Sequence, residues 1–143
     1  MAYQNIFVSL ACTPDEDPVV HEAARLTEAL GAKLHVLHVD YTADGKMSMM
    51  MPSTGRRETV DDLRNQFRRL GYGPLADKLE VFMLVDDSPE RAVAEATAEA
   101  DLLIVGHRNV SAFTAMMRDS VDELISNKVL CPVLVVTKTP DPA

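Results

Sequence analysis

Asp101-Leu102-Leu103-Ile104-Val105-Gly106-His107-Arg108-Asn109, then nine residues, then Asp119-Ser120-Val121, and finally Cys131-Pro132-Val133-Leu134-Val135-Val136 form the stretch whose reading decides the fold. The run Leu102 to Val105 is continuously apolar and stops at a glycine, which reads as a strand buried on both faces. A polar loop follows. Phe113, Met117, Val121, Leu124 and Ile125 then recur at helical spacing. Val133 to Val136 is a second buried strand. Strand, helix and strand in that order form a crossover unit, and such units build parallel sheets.

The same alternation extends back to the start of the chain. Ile6-Phe7-Val8-Ser9-Leu10 reads as the first strand, broken at Thr13-Pro14-Asp15. Thr13 or Asp15 is the expected cap of the first helix, with Pro14 or Pro18 in its first turn. Val19, Ala23, Leu26 and Leu30 give that helix an apolar stripe, and Gly31 ends it. Lys33 to Val39 alternates and reads as the second strand. Tyr41 to Gly55 reads as a loop. Val60, Leu63, Phe67 and Leu70 lie on one face of a second helix, terminated by Gly71 and Gly73. Glu80 to Val85 is the third strand. Ser88-Pro89 opens a third helix that is expected to run through Ala100, with Val93 and Ala96 inward. The pattern specifies an α/β chain with a parallel sheet covered by helices on both faces. In such sheets ligands sit beyond the carboxyl ends of the strands where the strand order reverses. That places the candidate site near Ala11 to Thr13 and Gly106 to Asn109.

With 143 residues the chain is the size of one domain, spanning 1–143 without a repeat or linker. No apolar run approaches the roughly 20 residues of a membrane span. No signal peptide is read at the N-terminus, so cytoplasm is the expected compartment. A net charge of −8 argues against nucleic acid as a partner, because phosphate backbones require a basic face. Arg56, Arg57, Arg64, Arg68 and Arg69 form a local basic cluster, read as the solvated face of a helix rather than an anion contact. Cys12 and Cys131 lack zinc-site spacing. They fall at opposite ends of parallel strands, too far apart for a disulfide, so two free thiols are expected.

The opening Asn5 to Leu10, the segment Gly31-Ala32-Lys33-Leu34-His35-Val36-Leu37-His38-Val39, Ser88-Pro89, and the Asp101 to Val136 tail stand in an order that resembles the universal stress protein family over nearly the whole chain. The resemblance implies a doubly wound, five-stranded, Rossmann-like sheet of the adenine nucleotide alpha hydrolase-like kind. It also implies a homodimer, paired through the last strand at Val133, Leu134, Val135 and Val136. Gly106-His107 and Met116-Met117-Arg118-Asp119-Ser120 look closer to the family's non-ATP-binding branch.

Nucleotide-binding members carry Gly-x-x-Gly, nine residues, then Gly-Ser or Gly-Thr. Here Gly106 and Ser120 remain, while Asn109 and Asp119 replace the second and third glycines. Those relatives also end the first strand in Asp-Gly-Ser, and the aspartate helps to hold adenosine. The matching residues here are Ala11, Cys12 and Thr13. Asn109 tolerates the left-handed conformation better than most residues. Asp119 sets a carboxylate where phosphate would lie, and two unit charges at 4 Å repel by about 4 kcal/mol at an effective dielectric of 20. Thr13, Val39, Gly106, Arg108, Asn109 and Ser120 are the residues that would line what remains of the nucleotide cleft.

Other motifs read more plainly. His107 at the cleft mouth is a loop histidine or a ligand contact. His35 and His38 point to opposite faces of a strand and make no metal pair. His21 is read as an exposed helix residue. The Met47, Met49, Met50, Met51 cluster suits adaptable contacts, and no metal site is expected there. Cys12 is read as a buried, inert thiol. Ser48, Ser53, Thr54, Ser111 and Ser120 are candidate phosphorylation positions. No nucleophile elbow, paired metal motif or Walker loop is present in the sequence. The expectation is a non-enzymatic stress-response module that is a dimer, takes no cofactor beyond weak ATP or AMP, and works through an unidentified protein partner. The alternatives are an ATP- or AMP-binding sensor, and a regulatory subunit docking on a transporter or kinase.

Overall fold

The computed structural model describes residues 3–40, 58–85, 89–106 and 131–137. Its elements are β1 (Asn5–Ser9), a 3-10 turn (Pro14–Glu16), α1 (Asp17–Leu30), β2 (Lys33–Asp40), α2 (Val60–Arg69), α3 (Gly73–Lys78), β3 (Glu80–Val85), α4 (Pro89–Ala96), β4 (Leu102–Gly106) and β5 (Val133–Val136). The strands form one sheet in the order β3-β2-β1-β4-β5, and every pairing is parallel. Strand order reverses between β1 and β4, as the sequence pattern requires of a doubly wound sheet.

Period-two alternation divides the core into two layers. Ile6, Val8, Leu34, Val36 and Ile104 face one side, where Val20, Ala23, Leu63, Phe67 and Ala76 of the first three helices cover them. Phe7, Leu37, Leu103 and Val105 face the other side, with Val93 of α4 against them. His35 lies on this second face, stacked on Phe7 with ring centroids 4.4 Å apart. Its Nδ1 and Nε2 lie 3.1 and 3.2 Å from Glu80 Oε1 and Asn5 Oδ1.

Several expectations shift by a residue or two. The buried face of α1 is Val19, Val20, Ala23, Ala24 and Thr27, while Leu26 is half-buried and Leu30 is exposed. A sheet-facing helix buries adjacent positions in each turn, which a single i, i+4 row does not capture. Val60 likewise is exposed, and Gln66 takes its place among the buried residues of α2. Gly71, at φ 93°, does end that helix region. Gly73, expected as a second stop, instead opens α3, a short helix with Pro74 in its first turn. Helix α4 ends at Ala96 rather than at Ala100, and turns follow. The helix expected around Phe113 to Ile125 lies outside the described residues, as does Ser88.

The start of β1 is fastened by Asp101. Its carboxylate accepts the Gln4 N–H at 2.8 Å and the Asn5 N–H at 2.9 Å, and the Asp101 N–H donates to Asn5 O at 2.8 Å. The Asn5 and then the Gln4 N–H hold this carboxyl below the usual aspartate range. A folded-state value below the unfolded one stabilises the fold above the unfolded aspartate pKa, and that contribution is lost as pH falls through the folded value. Asp101→Asn is therefore expected to lower the melting temperature at pH 7 and to flatten its fall between about pH 4 and pH 2. Equal acid sensitivity in the variant and the parent would show that Asp101 contributes nothing through its charge.

Candidate functional site

The carboxyl ends of β1 and β4 lie side by side at the reversal point, with Val8 in register with Ile104. Gly106 closes β4 there. A Cβ built on it would come within 2.9 Å of Val19 Cγ2 on α1, so glycine lets the first helix approach this strand end. Gly106→Ala is expected to cost about 1–3 kcal/mol, as overpacking a filled site does. A thermal melt unchanged within a degree would mean that Val19 moves aside freely.

The other wall is the turn after β1. Leu10 N–H donates to Leu37 O at 2.9 Å, continuing the ladder by one bond. Then Cys12 adopts φ 67°, a left-handed conformation that non-glycine residues take at a cost of roughly 1–2 kcal/mol. Cys12 stands where the resemblance puts a glycine. The turn directs three successive backbone N–H groups inward, from Ala11, Cys12 and Thr13. They converge on the carboxylate of Glu16, at 2.6, 2.8 and 3.1 Å. Successive inward N–H groups of this kind form an anion-accepting nest. Here the anion is the chain's own. Glu16 is buried, and its Oε1 also accepts from Gln66 Nε2 at 3.2 Å.

The local sequence explains this arrangement. Thr13-Pro14-Asp15-Glu16 starts a helical turn, and the fourth residue reaches back to the N–H of the first, as in a capping box. Thr13, one of the two expected caps, opens the 3-10 turn, while the N-cap of α1 itself is Glu16, a role for which the Thr-x-x-Glu spacing is the signal. Gln66, a polar residue between the buried Leu63 and Phe67 of α2, is not among the expected site residues.

Of the residues assigned to the nucleotide cleft, Thr13 and Gly106 stand at the adjoining strand ends, and Val39 pairs with Leu84 near the carboxyl end of β2. Arg108, Asn109 and Ser120 lie outside the described residues. So do Asp119, His107, Arg56, Arg57 and the Met47 to Met51 segment. His38 Nδ1 donates to Leu10 O at 3.0 Å, and its Nε2 lies 3.6 Å from Glu58 Oε1. It thereby ties the end of β2 to the β1 turn. His21 is exposed and lies 2.5 Å from the Tyr72 hydroxyl.

A cleft of about 540 Å³ opens beside the β1 turn, against α2. Cys12, Thr13, Pro14, Glu58, Asp62, Asn65, Gln66, Arg68 and Arg69 line it. The helix arginines are paired: Arg68 with Asp77 at 3.3 Å and Arg69 with Asp17 at 3.0 Å, while Arg64 donates to Ala76 O at 2.5 Å. Neither cysteine forms a disulfide. Cys12 is half-buried and lines the cleft, which corrects its reading as a buried thiol. Cys131, before β5, has its thiol pKa pushed up chiefly by burial. Among the described residues, no cluster of histidine, cysteine and carboxylate side chains could hold a metal ion, and no helix is long and apolar enough to cross a membrane.

Residues 2–137 match the model of the universal stress protein family. A universal stress protein solved in complex with cAMP superposes with a TM-score of 0.61 at 23% identity, covering 97% of this chain and 100% of that one. The Archaeoglobus fulgidus universal stress protein in complex with dAMP gives 0.52 at 19% identity over 95% and 99% of the two chains. The Lactobacillus plantarum protein UspA gives 0.56 at 15% identity over 95% and 99%. A search of curated protein sequences gave no match.

Proposed function

The chain belongs to the universal stress protein family, and from that premise we propose a stress-response binding module that performs no chemistry itself and whose nucleotide cleft has been altered. The observation that carries this reading is Glu16. The nest at the end of β1 could face an anion, but an internal carboxylate already satisfies its three N–H groups. A nucleotide phosphate arriving there would meet negative charge instead of open donors. Ala11 adds to this, because the carboxylate that holds adenosine in ATP-binding relatives is missing at its position. Asp119 acts in the same direction. These features favour the family's non-ATP-binding branch and a role exercised through a protein partner in the cytoplasm.

The dimer of this proposal pairs through β5. That strand lies at the sheet edge, and Val135 is exposed on it. An exposed apolar edge strand is a template for adding another strand.

The similar structures holding cAMP and dAMP make an adenine mononucleotide the ligand to test. They also support the second reading, a sensor that binds AMP or ATP without hydrolysing it. Protein purified in native buffer is denatured, and the supernatant is assayed for nucleotide. Calorimetry with AMP and ATP follows. The binding-module reading expects an empty supernatant and dissociation constants weaker than about 100 μM, some −5.5 kcal/mol. Nucleotide at near one per chain, or micromolar affinity, overturns it in favour of the sensor.

A further inference from the structure

We propose that the cavity at the amino ends of β2 and β3 binds a small amphiphilic carboxylate, of the free short- to medium-chain fatty acid class. The cavity has a volume of about 290 Å³. It lies between the start of β2, where Ala32, Lys33 and Leu34 line it, and the end of α3, where Leu75, Lys78 and Leu79 do. The sheet is parallel, so this is the end opposite the β1–β4 cleft, and the site is separate from any nucleotide site there. Leu34 and Leu79 belong to the buried core, and Ala32 and Leu75 pack half-buried against it, so these four form the inner wall. Lys33 and Lys78 are exposed and stand at the mouth. An apolar interior with a few polar groups to orient the ligand is the usual form of a small-molecule site, and this volume falls at the small end of the range.

The mouth decides the sign of the ligand's charge. Among the described residues, neither the Lys33 nor the Lys78 ammonium group has an ion pair or a hydrogen bond. By contrast, Arg25, Arg68 and Arg69 each hold a carboxylate, and Arg64 donates to a carbonyl. Acidic side chains outnumber lysine and arginine by 22 to 14, so the two lysines are not unpaired for want of carboxylates in the chain. The carboxylate that does line the cavity is Glu80, and its Oε1 is engaged by His35 Nδ1 at 3.1 Å. Two like charges lining one cavity repel, and an anion between them relieves that repulsion. A carboxylate head supplies the anion, while an alkyl tail covers the apolar surface that Ala32 and Leu75 leave open. Inorganic phosphate would satisfy the lysines but leave the inner wall uncovered.

Octanoate is the probe, titrated into the full chain by calorimetry. The expected result is one saturable site per chain. Octanoate should bind at least about tenfold tighter than butyrate, equivalent to 1.4 kcal/mol, because the shorter tail leaves the inner wall bare. Octylammonium has the same tail and the opposite charge, and should bind at least about tenfold weaker than octanoate. Lys33→Glu and Lys78→Glu change exposed side chains and should each weaken octanoate about tenfold. Arg25→Glu makes the same change of charge outside the cavity and should stay within about twofold of the parent, since a distant surface charge is largely screened. Amide chemical shifts supply a second readout that needs no variant. Octanoate should move the signals of Leu34 and Leu79 and leave those of Cys12 and Gly106 in place. Absence of saturable binding, octylammonium binding as tightly as octanoate, or Arg25→Glu weakening binding as much as Lys33→Glu overturns the proposal. Shifts centred on Cys12 and Gly106 overturn it too, by placing the ligand in the β1–β4 cleft. Failure on any of these counts leaves the reading of that cleft intact, because its own test uses nucleotide.

Discussion

Phe67→Ala is expected to remove about 3–5 kcal/mol of folding stability, the range for truncating a fully buried aromatic ring. Phe67 is 0% exposed and one of the largest fully buried side chains. It belongs to the layer in which α1, α2 and α3 meet the sheet, with Val8, Val20, Leu63 and Ala76 in the same cluster. Three elements share this contact, so no single helix can collapse into the cavity without losing its own fit. Domains have only about 5–15 kcal/mol in total. The melting temperature should therefore fall by roughly 10–15 °C. Val60→Ala on the same helix is the control. Val60 is exposed, and its loss should change stability by no more than about 0.5 kcal/mol. Urea denaturation of the two variants checks the contrast. A Phe67→Ala midpoint close to that of Val60→Ala would mean that α2 is not docked on the sheet as described.

That contrast also marks where the sequence was legible. Phe67 and Leu63 were assigned correctly because large apolar residues four apart on a helix have one place to go. Val60 was assigned with them, but it sits at the helix start, beside the Thr59 cap, where the face has not yet reached the core. The strands were read closely for the same reason as Phe67. Their apolar runs are short, are bounded by turn residues, and lie on a sheet covered on both faces. Gly73 is expected as a stop but opens a helix, because a glycine followed by proline can stand at either end of one. Only the packing of Ala76 and Leu79 decides between the two.

The candidate site was legible in position but not in content. Strand order places any doubly wound site at the ends of β1 and β4, and Gly106 and Thr13 stand there. What fills the β1 turn was not read. A position-by-position comparison sees Ala11 where a carboxylate is missing. It does not see that a carboxylate returns from Glu16, five residues on, to lie on the Ala11 N–H. Cys12 illustrates the same limit. Its left-handed backbone would be read from a glycine but not from a cysteine. Gln66 carried a weaker signal, a polar side chain on an apolar stripe. Such a residue is often a partner of another buried polar group, and here that group is Glu16.

Glu16→Ala is the variant in which stability and binding should move in opposite directions. The truncation strips the acceptor from the N–H groups of Ala11, Cys12 and Thr13 and from the Gln66 amide. Hydrogen bonds to a charged acceptor are each worth about 1.5–3 kcal/mol, but the four act on one group and do not add. The turn is part-buried, so water reaches some of the freed donors. A net loss of about 2–3 kcal/mol is expected by urea denaturation. Glu16→Gln keeps one acceptor oxygen but no charge, and should lose roughly half as much. Binding should run the other way. With the internal carboxylate gone, the nest presents unsatisfied donors in the left-handed turn at Cys12, an arrangement suited to phosphate. Added phosphate or AMP should then stabilise Glu16→Ala more than the parent, by RT ln(1 + [L]/Kd). The variant with the lower melting temperature in plain buffer should thus regain part of the difference as phosphate is added, whereas sodium chloride at equal ionic strength should not restore it. If Glu16→Ala is as stable as the parent, water satisfies the turn and the carboxylate is incidental. If it is less stable but indifferent to phosphate, the nest is a structural cap, and weak nucleotide binding must then be traced to Ala11 and Asp119.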